Sequence, residues 1–313
     1  MKKDLWILVT GGAGFIGSHL VDFLVGKGIS VRVLDNFSSG RIENIRSNVE
    51  VLRRDLKNFD DIVDVFNDID FVFHFAANPE VRVSTTHPRI HFEENVLSTF
   101  NLLEAMRKND VKYLVFASSS SVYGEPDHIP VSENDPVKPV SVYGATKASC
   151  ENLIHAYSIL YGIRSICLRY ANVVGPRLRH GVIYDFIMKL KKDPGRLEIL
   201  GDGMQTRSYI YIDDAVIATV FLAERITKNF DVYNIGSIDW ITVNDVARIT
   251  VETLGLKNVS FSYKPILHGV GWRGDVKRIA LSIEKLRKAG FTPRFKSREA
   301  VKKTVEYLMK ELF

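Results

Sequence analysis

Apolar and polar positions along the first half of the chain follow two rhythms. Leu5 to Val9 is a continuous apolar run, too short for a helix and suited to a buried strand. From Phe15 to Lys27 the apolar residues Phe15, Ile16, Leu20, Phe23 and Leu24 recur at the helical period, and Gly28 closes the helix. Val31 to Leu34, Val49 to Leu52, Phe71 to Phe75, Tyr113 to Phe116 and Ser165 to Leu168 predict further strands. Asp60 to Phe66, Phe92 to Lys108 and Val142 to Tyr161 predict the helices between them. Repeated β-α-β units with short links imply a parallel sheet covered on both faces. After about Gly175 the rhythm changes. Helices are expected at Val182 to Lys192, Asp213 to Arg225, Val243 to Leu254, Ile283 to Ala289 and Arg298 to Leu312, with loops and a few short strands between. Val232 to Ile235 can rejoin the main sheet. The expected fold is α/β: a doubly wound parallel sheet over residues 1–174, rejoined near 232–236, and a smaller α/β domain over 175–313.

Length and composition narrow the classes. A chain of 313 residues with 46% hydrophobic and 25% charged residues buries a sizeable core without staples. Cys150 and Cys167 form no Cys-x-x-Cys, so no disulfide framework, zinc ribbon or other metal site is expected, and two scattered thiols fit a reducing cytoplasm. Lys2-Lys3 ahead of Leu5 to Val9 has the order of a signal peptide. The apolar stretch breaks at Thr10-Gly11-Gly12, so no leader is expected. No apolar run is long enough for a membrane span. The net charge of +5 is mild and scattered, which reads as a solvated surface rather than a nucleic-acid patch.

Candidate chemistry begins at Thr10-Gly11-Gly12-Ala13-Gly14-Phe15-Ile16-Gly17, between the first strand and the first helix. Glycine permits a tight turn and close approach of a pyrophosphate to main-chain N–H groups, and the helix N-terminus favours the anion. Asp35 ends the second strand, 18 residues beyond Gly17. Its carboxylate suits the ribose hydroxyls of NAD and repels the extra phosphate of NADP. The competing reading is a glycine turn that holds another ligand, such as a flavin. Asp55 and Phe75-Ala76-Ala77 follow the third and fourth strands, where ligands of open parallel sheets bind. Asp55 reads equally well as a helix cap or turn residue.

Tyr143 and Lys147 are four apart on a helical stretch and share one face. A nearby ammonium favours the phenolate of a tyrosine whose free pKa is about 10. Ser119, 24 residues earlier, lies in a serine run at the end of the fifth strand. These three residues are expected to converge as a catalytic set.

The chain resembles the extended short-chain dehydrogenase/reductases, and within them the UDP-glucose (UDP-galactose) 4-epimerases of archaeal type. The resemblance covers essentially the whole length. It rests on the glycine motif, Asp35-Asn36, His74-Phe75-Ala76-Ala77, the serine run before Val122-Tyr123-Gly124, Tyr143-Gly-Ala-Thr-Lys147, and Leu168-Arg-Tyr-Ala-Asn172 with Gly175-Pro176. It implies a Rossmann-like fold and bound NAD, with the second domain holding the substrate. Gly11, Gly14, Phe15, Ile16, Asp35, Asn36, Ser38, Gly40, Asp55, Leu56, Phe75, Ala76, Asn95, Tyr143, Lys147 and Tyr170 would touch NAD. It also implies a UDP-hexose substrate met by Ser119, Asn172, Val182 through its backbone, Arg207 at the phosphates and Asp275 at the uridine ribose. A cytoplasmic homodimer is implied, joined through the helices around Phe92 to Lys108 and Val142 to Tyr161. Ile279, four residues after Asp275, would flank the C2 substituent of the sugar.

The chain departs from the epimerase pattern in two places. Ser208 stands where many members carry Asp, and Trp272 followed by Arg273 where many carry Arg. The expected activity is interconversion of UDP-glucose and UDP-galactose through a 4-keto sugar. The rivals are a nucleotide-sugar dehydratase or decarboxylase, and a non-catalytic NAD-binding module. Dehydratases carry an acid just after the active-site serine, where this chain has Ser120 and Ser121; a dead module typically loses Tyr143 or Lys147.

Overall fold

A computed structural model describes residues 5–313; Lys2 and Lys3 of the leader-like start lie outside the described residues. The chain divides into two compact units. The first comprises Met1–Val122, Ser141–Arg169 and Val216–Tyr233; the second comprises Tyr123–Val140, Tyr170–Ala215 and Asn234–Phe313.

The first unit is built on the predicted alternation. Its strands are β1 (Trp6–Thr10), β2 (Ser30–Asp35), β3 (Glu50–Arg53), β4 (Phe71–His74), β5 (Tyr113–Ser119) and β6 (Arg164–Tyr170). With the strand Phe230–Ile235 they form one seven-stranded sheet in the order Phe230–Ile235, β6, β5, β4, β1, β2, β3. The neighbours from β3 through β5 pair in parallel, with Val9 opposite both Val33 and Phe73. Strand order reverses next to β1, so ligand-binding loops gather at the carboxyl ends of β1 and β4. Helices α1 (Phe15–Gly26), α2 (Pro88–His91), α3 (Ser98–Lys108) and α4 (Val142–Tyr161) accompany the sheet. Leu8, Val72, Leu102, Met106, Leu114 and Ile154 belong to one buried cluster on this unit.

Two expectations here are corrected. Asp60 to Phe66 is not a helix; only Val63–Phe66 forms a tight 3-10 turn. A preceding turn, Asn58 N–H to Asp55 O, and left-handed backbone at Asp68 leave no length for an α-helix, while Ile62, Val65 and Phe66 still reach the core. The helix expected from Phe92 begins instead at Pro88, whose fixed φ suits a first turn. It then widens into a π-helical stretch, Phe92–Leu97, before α3.

In the second unit, β7 (Asn172–Val174), α5 (Gly181–Lys192), β8 (Arg196–Leu200), β9 (Thr206–Arg207) and β10 (Tyr209–Tyr211) lead into α6 (Ile212–Ala223), whose residues from Val216 on belong to the first unit. After β11 (Phe230–Ile235) come β12 (Ile241–Thr242), α7 (Val243–Thr253), β13 (Ser260–Lys264), α8 (Glu284–Lys288) and α9 (Ser297–Leu312). Three two-stranded pairs, β10 with β7, β12 with β9 and β13 with β8, replace a large sheet. A capping box starts α7: Thr242 Oγ1 accepts the Asp245 N–H, and the Asp245 carboxylate accepts the Thr242 N–H. Among the described residues, no helix is long and apolar enough to cross a membrane.

Candidate active site

The glycine turn sits between β1 and α1. Gly11 takes a left-handed φ of 67°, and a Cβ there would fall 2.6 Å from the Ala76 nitrogen. A Cβ on Gly17 would fall 2.2 Å from the Gly11 carbonyl oxygen. The turn therefore admits only glycine at both positions. Gly14 caps α1 without a side chain, and no acidic residue stands in its first turn. This leaves a helix N-terminus suited to a phosphate.

Asp35 closes β2 beside the turn. Its Oδ2 accepts the Ala13 N–H at 3.0 Å and its Oδ1 accepts the Phe37 N–H at 2.8 Å. Burial raises the carboxyl pKa, and the two N–H groups oppose that rise. A Cβ on Gly40 would stand 2.9 Å from both Asp35 oxygens, so this glycine keeps the carboxylate approachable. Asn36 ties the next loop together: its Nδ2 donates to Asp55 Oδ2 and its Oδ1 accepts the Ser38 N–H. Asp55 also accepts the Lys57 N–H, the turn role allowed for it from sequence. Leu56 is buried and Phe75 follows β4. Asn95, fully buried in the π-helical stretch, accepts the Asn78 N–H. Tyr170 ends β6 and groups with the second unit. An uncapped helix start, glycine-only close approaches and a carboxylate at the end of β2 fit an adenine dinucleotide.

Ser119 and Tyr143 are brought together. Ser119 ends β5 and Tyr143 lies in the first turn of α4, with the Ser119 hydroxyl near enough to the phenol to oppose a rise in its pKa. Ser119 Oγ also lies 3.1 Å from the Ser121 hydroxyl. Burial pushes the Tyr143 phenol up to about 12, against the opposing pull of the Ser119 hydroxyl. Lys147 is buried on the same helix face, but its ammonium donates to the Ala117 carbonyl at 2.8 Å and lies 6.0 Å from the Tyr143 ring centroid. Burial lowers the Lys147 pKa to about 8, while Cys150, Cys167 and Glu151 act to raise it. The expected depression of the Tyr143 pKa by Lys147 is thus absent from this arrangement. The Lys147 charge is spent on a backbone carbonyl and on the face of Phe116, 4.7 Å away.

Two neighbours of Tyr143 escaped sequence reasoning. Ser84 Oγ accepts the Tyr143 N–H at 3.1 Å. The buried His91 ring packs edge-on against the Tyr143 ring, with centroids 5.6 Å apart. Neither belongs to a motif, and only packing discloses them.

In the second unit, Arg207 on β9 pairs with Asp275 at 2.8 Å and also donates to the Val276 carbonyl. Asp275 is filled further by the N–H groups of Gly271 and Val276. The two residues assigned to phosphate and ribose thus hold each other. Asn172 on β7 lies opposite Tyr209 of β10. Tyr209 is buried among Asn172, Arg207 and Asp275, and burial pushes its phenol up to about 12. The sequence reading passed over Tyr209; its only signal is a tyrosine on the strand after Arg207. Val182 is the second residue of α5, half-buried and apart from that cluster's hydrogen bonds.

Comparison with known proteins agrees with this site. Residues 7–236 match the model of the NAD dependent epimerase/dehydratase family. A protein of Methanocaldococcus jannaschii is 40% identical over 309 residues, covering 96% of this chain and 98% of its own. A crystal structure of a UDP-galactose 4-epimerase superposes with a TM-score of 0.90 at 50% identity, over 99% of this chain and 100% of that one. The UDP-glucose 4-epimerase of Thermus thermophilus, solved in complex with NAD, gives a TM-score of 0.87 at 35% identity over 97% and 99%. With motif, site and near full-length similarity in agreement, the chain belongs to the NAD-dependent epimerase/dehydratase family and is an NAD-dependent enzyme of the epimerase kind.

Proposed function

We propose that the chain is a nucleotide-sugar epimerase that interconverts UDP-glucose and UDP-galactose through a transient 4-keto sugar. The observation that carries this reading is the meeting of Ser119, at the end of β5, with Tyr143 in the first turn of α4, beside a buried Lys147. Bound NAD supplies the two-electron acceptor and donor for the sugar C4 and a cationic ring that favours a nearby phenolate. Gly11, Gly14, Phe15, Ile16, Asp35, Asn36, Ser38, Gly40, Asp55, Leu56, Phe75, Ala76, Asn95 and Tyr170 hold that cofactor, with Lys147 at its second ribose. Tyr143 takes the proton from the C4 hydroxyl as it is oxidised and returns a proton to the C4 oxygen afterwards. Ser119 hydrogen-bonds the C4 oxygen through both steps.

The second unit supplies the grip on the nucleotide. Arg207 meets the diphosphate, Asp275 the uridine ribose, and Asn172 and the Val182 backbone contact the substrate. The buried Arg207–Asp275 pair supports this role, because a guanidinium already desolvated and oriented binds phosphate at lower entropic cost. Dehydration is not proposed, because Ser120 and Ser121 offer hydroxyls where water loss needs an acid. The enzyme works in the cytoplasm as a homodimer. Phe92, Phe100, Ile159, Leu160 and Tyr161 stand exposed on the two helical stretches assigned to the interface, which supports that state. The test is incubation of the purified protein with UDP-galactose and no added NAD, followed by chromatography. Appearance of UDP-glucose is expected. Release of a keto or deoxy product would favour the dehydratase, and an unchanged substrate with NAD bound would favour a non-catalytic module.

A further inference from the structure

His74, the first residue of the motif at the end of β4, has no role in the chemistry above, yet it is buried and bonded on both sides. Its Nδ1 lies 2.7 Å from the hydroxyl of Thr10, the residue that opens the glycine turn. Its Nε2 lies 3.1 Å from the hydroxyl of Thr99 on α3. The direction of each bond can be deduced. The Asn95 carbonyl has no proton to give, so Thr99 must donate to it, at 2.6 Å. A threonine hydroxyl has one proton, so toward His74 it can only accept. Nε2 therefore carries the ring proton. In the neutral ring Nδ1 is then an acceptor, and the Thr10 hydroxyl donates to it. Burial and the charge of Lys147 favour that neutral ring.

The chain of bonds continues at both ends. Thr10 Oγ1, its proton committed to His74, accepts the Ala76 N–H at 3.4 Å. Asn95 Nδ2 donates to Thr146 Oγ1 at 2.9 Å, and the Thr146 hydroxyl donates to the Tyr143 carbonyl at 2.8 Å. The Cys150 thiol adds a second donor to the Asn95 carbonyl. One continuous path, buried from Thr10 to Thr146, thus joins the mouth of the glycine turn to the backbone of Tyr143.

We propose that His74 is a positioning residue, locked as the Nε2–H tautomer, that sets the glycine turn through Thr10 and the catalytic helix through Thr99, Asn95 and Thr146. The proposal rests on the epimerase reading for its effect on turnover, but not for its effect on NAD binding. A buried polar network of this kind holds one arrangement because every alternative strands a donor or an acceptor.

The two ends of the ring can be separated. Asparagine at this position keeps an acceptor near the Nδ1 site, and glutamine keeps a donor near the Nε2 site. His74→Phe loses both, and with them about tenfold in NAD affinity and about tenfold in kcat is expected to go, because the Thr10 hydroxyl loses its acceptor and the Thr99 hydroxyl loses the ring donor. His74→Asn is expected to bind NAD within about threefold of the parent while kcat stays low; His74→Gln is expected to do the reverse. NAD affinity is measured on protein stripped of nucleotide, kcat on protein saturated with NAD, and the thermal midpoint of each variant is recorded alongside. The unmodified protein, labelled with 15N-histidine, gives the tautomer directly from ring nitrogen shifts, and a neutral Nε2–H ring at pH 6 is expected. A charged ring or an Nδ1–H ring at that pH overturns the proposal, as does His74→Phe with parental NAD affinity and kcat. Loss of both properties in all three variants in proportion to their fall in thermal midpoint also overturns it, by reducing His74 to a packing role. A parent that epimerises no nucleotide sugar overturns the proposed function instead, and leaves the tautomer and NAD affinity to judge His74.

Discussion

Arg169 and Glu151 form a buried forked ion pair, Nη2 to Oε2 at 2.7 Å and Nε to Oε1 at 3.0 Å. Arg169 is near the end of β6, and Glu151 lies one turn beyond Lys147 on α4. The Ser118 hydroxyl gives Glu151 Oε1 a second donor at 2.5 Å. The carboxylate thereby fastens the helix of Tyr143 and Lys147 to the strand end that carries Ser119. Glu151→Gln leaves Arg169 buried beside a neutral group, and a loss of about 3–5 kcal/mol in unfolding free energy is expected. The double variant Glu151→Leu with Arg169→Met should lose less than either single change, because no charge is then stranded. Urea unfolding of the parent, Glu151→Gln, Glu151→Leu, Arg169→Met and the double variant checks both statements.

Tyr143→Phe should reduce kcat by at least about a thousandfold, since the proposed proton carrier is deleted outright. The ring still packs against His91, so the thermal midpoint and the bound NAD should stay near the parent. Retention of a tenth of the parental kcat would remove Tyr143 from the mechanism. Lys147→Ala should lower both kcat and NAD content, and it also strands the Ala117 carbonyl.

Acid should destabilise the fold through its buried histidines. Burial lowers the His74 pKa from 6.5 to about 3, and burial also lowers that of His91. Such a ring is neutral when folded and protonated when unfolded, so unfolding takes up protons below pH 6.5 and stability falls with falling pH. The His74 share of the slope approaches about 1.4 kcal/mol per pH unit between pH 6.5 and the folded pKa, and flattens below it. Urea unfolding at pH 7, 6, 5 and 4 should show a shallower decline in His74→Gln than in the parent. Equal slopes would mean that the ring charges without cost.

Ile279 is buried, and its N–H donates to the Thr206 carbonyl beside Arg207. If it flanks the C2 substituent, the enzyme accepts N-acetylated UDP-hexoses, and Ile279→Tyr lowers kcat/KM for UDP-N-acetylglucosamine relative to UDP-glucose by about tenfold or more. A larger ring in a filled core also costs about 1–3 kcal/mol, so the ratio, not the absolute rate, is the readout. An unchanged ratio assigns Ile279 to packing alone.

The order of residues alone specifies the strand–helix alternation of the first unit, the glycine turn with Asp35, and the residue types of the Ser119, Tyr143 and Lys147 set. These are local signals: short continuous apolar runs, the helical recurrence of apolar residues, a turn that only glycine can make, a face shared at a spacing of four. It does not specify the tight turn at Val63–Phe66, because apolar spacing there suits a 3-10 turn as well as an α-helix, and the left-handed Asp68 decides. Nor does it disclose that Lys147 donates to Ala117, that Arg207 closes on Asp275, or that His74 joins Thr10 to Thr99. Each of those partners comes from a different strand, helix or loop. Which polar groups meet depends on how the sheet order and the buried side chains bring those elements together, and a buried polar group takes the partner that packing leaves within reach.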